Sequence, residues 1–264
     1  MEDNLYEKNN SQYPYVRMGY RIFTLLKQQF GFNLYKLLSN SIIFIKEYIT
    51  YVKEHNNTHF KVSMCYLYPC LTDRTKITPI EPIYFFQDTW TAHKIFQIKP
   101  EHHYDVGSSV KTMGIISQFV PTTIIDIRPI ELELKNLFFK EGSILGLPLK
   151  DNFIDSLSSL CVIEHIGLGR YGDPVDSWGS EKAIKELKRV LKPGGNLLIS
   201  VPIDEECRVY FNAHRAFTRE YLLELFQGLD LREEKYIYGR VVFDKYYKSK
   251  GFGTGLYHFR KTII

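Results

Sequence analysis

Apolar positions in the first fifth of the chain recur at threes and fours. From about Arg17 to Glu54 they run through Ile22, Leu25, Leu26 and Phe30, then Leu34, Leu37, Leu38, Ile42, Ile45, Ile49 and Val52. That spacing lines one face of a helix, and Gly31 predicts a break into two. Residues 1–15 are polar and predict a loosely attached start. Residues 55–83 lose the period and carry Pro69, Pro79 and Pro82, which predicts a connector with one short strand. Helical spacing returns over 84–98.

From 103 onward short apolar runs alternate with amphipathic ones. Strands are predicted over His103–Val106, Thr123–Ile127, from Leu137, over Ile154–Leu160 and over Asn196–Val201. Helices are predicted over Val110–Phe119, Ser180–Leu191 and Thr218–Phe226. Strands separated by helices imply right-handed crossovers and a mostly parallel sheet. Leu231–Tyr238 and Thr254–Ile263 have no helix between them, so they are expected to pair antiparallel.

Composition narrows the class without naming it. Of 264 residues, 44% are apolar and 24% charged, ordinary for a globular chain. Net charge is +4 on 34 basic and 30 acidic residues, with no basic stripe, so a nucleic-acid partner is not expected. The 19 Tyr and 18 Phe suit a core or a cleft wall. Cys65, Cys70, Cys161 and Cys207 form no C-x-x-C pair and no zinc spacing, so reduced thiols and no bound metal are expected. The start is polar and acidic, unlike a signal peptide. The apolar stretch Ser41–Val52 is short and interrupted by Lys46 and Glu47, too little to span a bilayer. A cytoplasmic location is the expectation.

Several motifs carry candidate chemistry. Asp105-Val106-Gly107-Ser108-Ser109 stands where a strand turns into a helix, and small residues there let a ligand approach the backbone. Asp126 ends the next strand, 19 residues after Gly107, a spacing that suits an acceptor for two ribose hydroxyls. Next come GSILGLPLKDNFIDSLSSLCVIEHI over 142–166 and the tight turn Pro193-Gly194-Gly195 inside RVLKPGGNLLIS.

In this order the motifs resemble the class I S-adenosylmethionine (SAM)-dependent methyltransferases, well over 103–203 and more loosely to 264. The resemblance implies a Rossmann-like α/β sheet of order 3-2-1-4-5-7-6 with strand 7 antiparallel. Residues 1–84 would then be a helical extension to a methyltransferase-like domain over 85–264. It also implies SAM as cofactor. Asp105, Gly107, Ser108 and Ser109 would lie at its methionine part, Asp126 at the ribose, Ser143 and Ile144 at the adenine, and Leu160 and Cys161 beside the sulfonium. Ser109 stands where the family usually has a second glycine, and Ser143 where it usually has an acid.

The loop Glu164-His165-Ile166-Gly167-Leu168-Gly169-Arg170-Tyr171-Gly172-Asp173-Pro174 and the cluster Phe211–Arg215 resemble a bacterial methyltransferase-like group linked to surface-polysaccharide and capsule biosynthesis. That resemblance implies O-methylation of a sugar, sugar nucleotide or polysaccharide precursor. His165, His214 and Glu164 are the candidate proton acceptors, since imidazole takes a proton near neutral pH. Arg170, Tyr171, Asp173, Asn212 and Arg215 are the candidate acceptor-binding residues, guanidinium being suited to phosphate or carboxylate. The N-terminal helices would cover the acceptor pocket or join two copies in a homodimer. The alternative is a non-catalytic module that keeps the fold and has lost the cofactor, for which Ser109 and Ser143 speak.

Overall fold

The computed structural model describes residues 34–263. The described residues divide into two compact units, with the boundary between Pro79 and Ile80.

The first unit contains α1, Leu34–Glu54. Its apolar stripe is Leu38, Ile42, Ile45 and Ile49, all exposed. The expected helix over 17–30 and the break at Gly31 lie outside the described residues. The connector forms no strand. Its one regular piece is a single 3-10 turn, Met64–Tyr66, fixed where the Ser63 hydroxyl accepts from the Cys65 amide. No helix among the described residues is long and apolar enough to cross a membrane.

The second unit begins with α2, Pro82–Ile98. Its start is set by Pro82 at the first turn and by Glu81, whose carboxylate accepts from the Ile83 amide. It ends where Lys99 enters the left-handed region. There follow β1 (His103–Val106), α3 (Val110–Ile116), β2 (Thr122–Asp126), β3 (Leu137–Glu141), β4 (Ile154–Leu160), α4 (Gly179–Val190), β5 (Leu191–Ile203), β6 (Arg208–Tyr210), β7 (His214–Ala216), α5 (Arg219–Leu225), β8 (Leu229–Tyr238), β9 (Val241–Phe243) and β10 (Gly253–Lys261).

Eight strands form one sheet in the order β3-β2-β1-β4-β5-β10-β8-β9. β3, β2, β1, β4 and β5 run parallel. β10 inserts antiparallel between β5 and β8, pairing Leu256 with Ser200 on one side and with Lys235 on the other. This is the expected order 3-2-1-4-5-7-6, with β10 as the seventh strand and β8 as the sixth. Three strands go beyond the expectation: β9 pairs with the outer side of β8, and β6 and β7 form a separate hairpin. Each spans three residues, too few for an alternating pattern to announce it.

Apolar layers cover both faces of the sheet. Leu157, Leu197, Ile199 and Val201 pack with Ala183, Ile184 and Leu187 of α4 and with Phe226. Ile124, Leu160, Leu198 and Leu256 pack with Trp90 and Ile95 of α2 and with Met113 and Ile116 of α3. The inner parallel strands β1, β2, β4 and β5 are therefore largely buried on both sides, whereas β3, at the edge, is mostly exposed. With helices on the faces, the carboxyl ends of β1, β4 and β5 remain open to a ligand.

Candidate active site

The loop after β1 is shaped by a buried hydrogen-bond network. Asp105 is fully buried, and its carboxylate accepts from the Ser108 amide at 3.0 Å, the Ser108 hydroxyl at 2.6 Å and the Ser158 hydroxyl. The Ser108 Oγ in turn accepts from the Leu160 amide of β4 at 2.9 Å. Behind Ser158 lies His103, also fully buried, with Nδ1 2.8 Å from the Ser156 hydroxyl and Nε2 3.0 Å from that of Ser158. The Ser158 proton goes to Asp105, so His103 Nε2–H donates to Ser158 and its Nδ1 accepts from Ser156. Burial pulls His103 down to about 3 and pushes Asp105 up to about 6 despite its three donors. The network ties the β1 turn to β4 and fixes Gly107, whose φ is +72°. A Cβ at Gly107 would lie 3.0 Å from Val162 Cγ1 and in a conformation costly for any side chain.

A cleft of about 900 Å³ opens over this turn, within the range of small-molecule sites. One wall is Gly107, Ser108 and Ser109, with Lys111 and Thr112 of α3. Another is Leu160, Cys161, Glu164 and His165 after β4, followed by Arg170 and Tyr171. His214, Phe252 and Thr254 close a third side, and Tyr84, Asp88 and Thr89 of α2 a fourth.

His165 and Glu164 give the cleft its proton chemistry. His165 Nδ1 lies 2.6 Å from the Ala213 carbonyl, which can only accept, so Nδ1 carries the proton and Nε2 a lone pair. That Nε2 is 3.8 Å from Glu164 Oε1. Burial pulls the imidazole down to about 4, so it is neutral near pH 7. Glu164 is 1% exposed, and its Oε2 is buried without a hydrogen-bond partner. Burial pushes its carboxyl up to about 8, which leaves it mostly protonated at neutral pH. His214 is also lowered, by burial and then by the positive Arg170. Cys161 has its thiol raised well above the ordinary range by burial, and its Sγ lies 3.0 Å from Gln87 Oε1.

The glycine-rich loop after β4 acts as a rigid bracket. At Gly167, φ is +84°, and a Cβ would sit 2.0 Å from the Asp176 carbonyl, so the chain can pass the start of α4 only as glycine. Asp173 points back into this loop and accepts from the amides of Gly167 and Tyr171. Arg215 is 8% exposed and donates to the Ile166 and Asp176 carbonyls and the Ser180 hydroxyl. Asn212 is exposed on the turn between β6 and β7.

The structure therefore brings Gly107, Ser108, Ser109, Leu160, Cys161, Glu164, His165, Arg170, Tyr171 and His214 to one cleft. It does not bring Asp126, Ser143, Ile144, Asp173, Asn212 or Arg215 among the lining residues. Asp105 works from beneath the turn. Asp126 ends β2, where its Oδ1 accepts from the Arg128 amide at 2.9 Å. Ser143 accepts from the Leu145 amide, and Ile144 is buried beside it. Tyr84, Asp88, Lys111 and Phe252 were not legible as site residues. For the first two the available signal was the i, i+4 spacing of polar groups on a helix that otherwise reads as apolar. Among the described residues no group of three or more His, Cys, Asp or Glu is placed to hold a metal ion.

Comparison with known proteins agrees with this architecture. A family model described as "Caenorhabditis protein of unknown function, DUF268" matches residues 124–236. No curated protein matches the sequence. Among solved structures, the N-methyltransferase NodS from Bradyrhizobium japonicum WM9 in complex with S-adenosyl-L-homocysteine (SAH) is similar at 16% identity and a TM-score of 0.52, over 81% of this chain and 97% of that one. The [4+2]-cyclase SpnF is similar at 16% identity and a TM-score of 0.51, over 67% and 82%. The second unit thus has the Rossmann-like fold of the class I SAM-dependent methyltransferases.

Proposed function

We propose that the chain is a SAM-dependent methyltransferase acting on a hydroxyl of a sugar, sugar nucleotide or surface-polysaccharide precursor. The observation that carries the reading is the facing of the Gly107–Ser109 turn and the Glu164–His165 pair across one cleft. The residues present fit the cofactor. Gly107 lines the cleft with bare backbone at φ +72°, and the cleft is roomy enough for SAM and an acceptor together. Gly107, Ser108 and Ser109 would hold the methionine part, Asp126 the ribose, Ser143 and Ile144 the adenine, and Leu160 and Cys161 would flank the sulfonium. Ser109 sits at φ −62°, an ordinary conformation, so no glycine is needed there and the non-catalytic alternative loses one of its two supports.

Bound SAM supplies a methyl group for in-line displacement. The protein's part is to position an acceptor oxygen and take its proton. His165 is suited to that role, because Ala213 fixes its tautomer and leaves the Nε2 lone pair unprotonated at neutral pH. Its low basicity means that it takes the proton as the new bond forms, not beforehand. The sugar acceptor rests on the resemblance of the 164–174 loop and the Phe211–Arg215 cluster.

The first test is calorimetric titration of the full chain with SAM and SAH, with Asp126→Ala beside it. Micromolar binding that Asp126→Ala weakens at least tenfold is the expected result. Folded protein that takes up neither ligand at millimolar concentration refutes the reading.

A further inference from the structure

The polar groups around the cleft are unequal in charge. Arg170 lines it and has no carboxylate partner among the described residues. Its Nη1 donates to the Ala213 carbonyl at 2.8 Å, and its remaining nitrogens make no hydrogen bond among the described residues. Arg128, from the end of β2, approaches the same place. Both guanidinium carbons lie 5.1 Å from the centroid of the Tyr171 ring, so no more than twice that distance separates the two charges. Arg128 is anchored only loosely: its Nε is 3.4 Å from Asp126 Oδ1 and its side chain is 63% exposed. A contact that long and that wet cancels little of its charge. Lys111 lines the cleft as well and makes no ion pair among the described residues.

The groups that could balance these cations are occupied or neutral. Glu164 is held protonated by burial. Asp173 spends both oxygens on the backbone amides of Gly167 and Tyr171. Asp88, the other carboxylate of the lining, accepts from Thr112 and Gln87. Two guanidinium groups beside one exposed aromatic ring, Arg170 with no carboxylate partner and Arg128 with only the long Asp126 contact, leave donors free for an oxyanion.

We propose that the acceptor carries an oxyanion, a phosphate or a carboxylate, held by Arg170 and Arg128 around Tyr171. The inference rests on the methyltransferase reading for the meaning of "acceptor" but not for the existence of the anion site. The neutral hydroxyl part of the acceptor would then reach inward toward His165, whose ring meets that of Tyr171 edge-on at 5.6 Å. A neutral sugar would find the outer half of this cleft unfilled.

The test uses the full chain saturated with SAH, and in parallel the chain alone. The probes are inorganic pyrophosphate, glucose 1-phosphate, glucuronate and, as the neutral control, glucose. Binding is read by calorimetry at fixed ionic strength. At least one oxyanion probe is expected to bind tenfold or more tightly than glucose. Arg170→Gln and Arg128→Gln should each weaken it by about tenfold, the scale of one charge-assisted hydrogen bond. Arg240→Gln, an exposed arginine outside the lining, should not. Preference for glucose 1-phosphate over glucuronate assigns the site to phosphates; the reverse assigns it to carboxylates. Equal binding of all four probes, or oxyanion binding that survives the Arg128→Gln/Arg170→Gln double variant, overturns the proposal. Retained SAH binding shows that each variant is folded. If SAH itself does not bind, the methyltransferase reading falls, while the arms without SAH still decide the anion site.

Discussion

Glu164→Gln separates a charge effect from a shape effect inside the cleft. The wild-type carboxyl is 1% exposed with one oxygen unpartnered, and burial raises it from 4.5 to about 8. Because the folded value lies above the unfolded one, its contribution to stability is complete below about 4.5. It is lost progressively as pH rises through about 8. Over that window the unfolded chain releases a proton that the folded chain retains. Each pH unit then removes up to ~1.4 kcal/mol, so the step from about pH 5.5 to about pH 7.5 removes up to ~3 kcal/mol. Glutamine keeps the outline and the neutrality and does not titrate. Its buried amide adds a constant offset with no slope. Both tryptophans, Trp90 and Trp178, lie in the second unit, so their fluorescence during urea unfolding reports that unit alone. Stability relative to wild type should rise with pH for Glu164→Gln. Asp105, raised to about 6, adds its own loss below that pH in both proteins and cancels in the comparison. A difference that stays constant from pH 5.5 to 7.5 would show that Glu164 is ionised in the fold and refute the reasoning.

Two further substitutions test the walls of the cleft. Gly107→Ala puts a Cβ 3.0 Å from Val162 at φ +72°, which should cost ~1–2 kcal/mol of stability and weaken SAH binding, measured by urea unfolding and calorimetry. A variant with wild-type SAH affinity would show that the β1 turn does not hold the cofactor. Arg215→Ala leaves the Ile166 and Asp176 carbonyls and Ser180 without their donor, so it should cost ~3 kcal/mol in urea unfolding. If oxyanion binding fell while stability held, Arg215 would be a substrate ligand and not a brace.

The sheet was legible from the alternation of short strand-like runs such as Thr122–Asp126 and Ile154–Leu160 with amphipathic helices, although an aspartate and three serines interleave the apolar positions of the second run. The Asp105–Ser109 turn was legible because a strand end that must pass close to a neighbouring chain needs glycine. Arg215 and Asp173 were read as ligands because charge on a loop suggests a partner, and sequence does not say that the partner is the protein's own backbone. Tyr84, Asp88 and Phe252 were missed because they reach the cleft from elements far apart in the chain, α2 and the segment before β10.

The sequence by itself determined the succession of strands and helices, the antiparallel last strand pair and the composition of the turns after β1 and β4. These follow from local periodicity and from backbone conformations that few residues can adopt. The tertiary structure alone decided which charges are neutralised. Glu164 is uncharged because burial strips the carboxylate of water, and Arg170 and Arg128 meet at one exposed ring although they come from segments far apart in the chain. Burial and long-range proximity set those states, and neither has a signature in the order of residues.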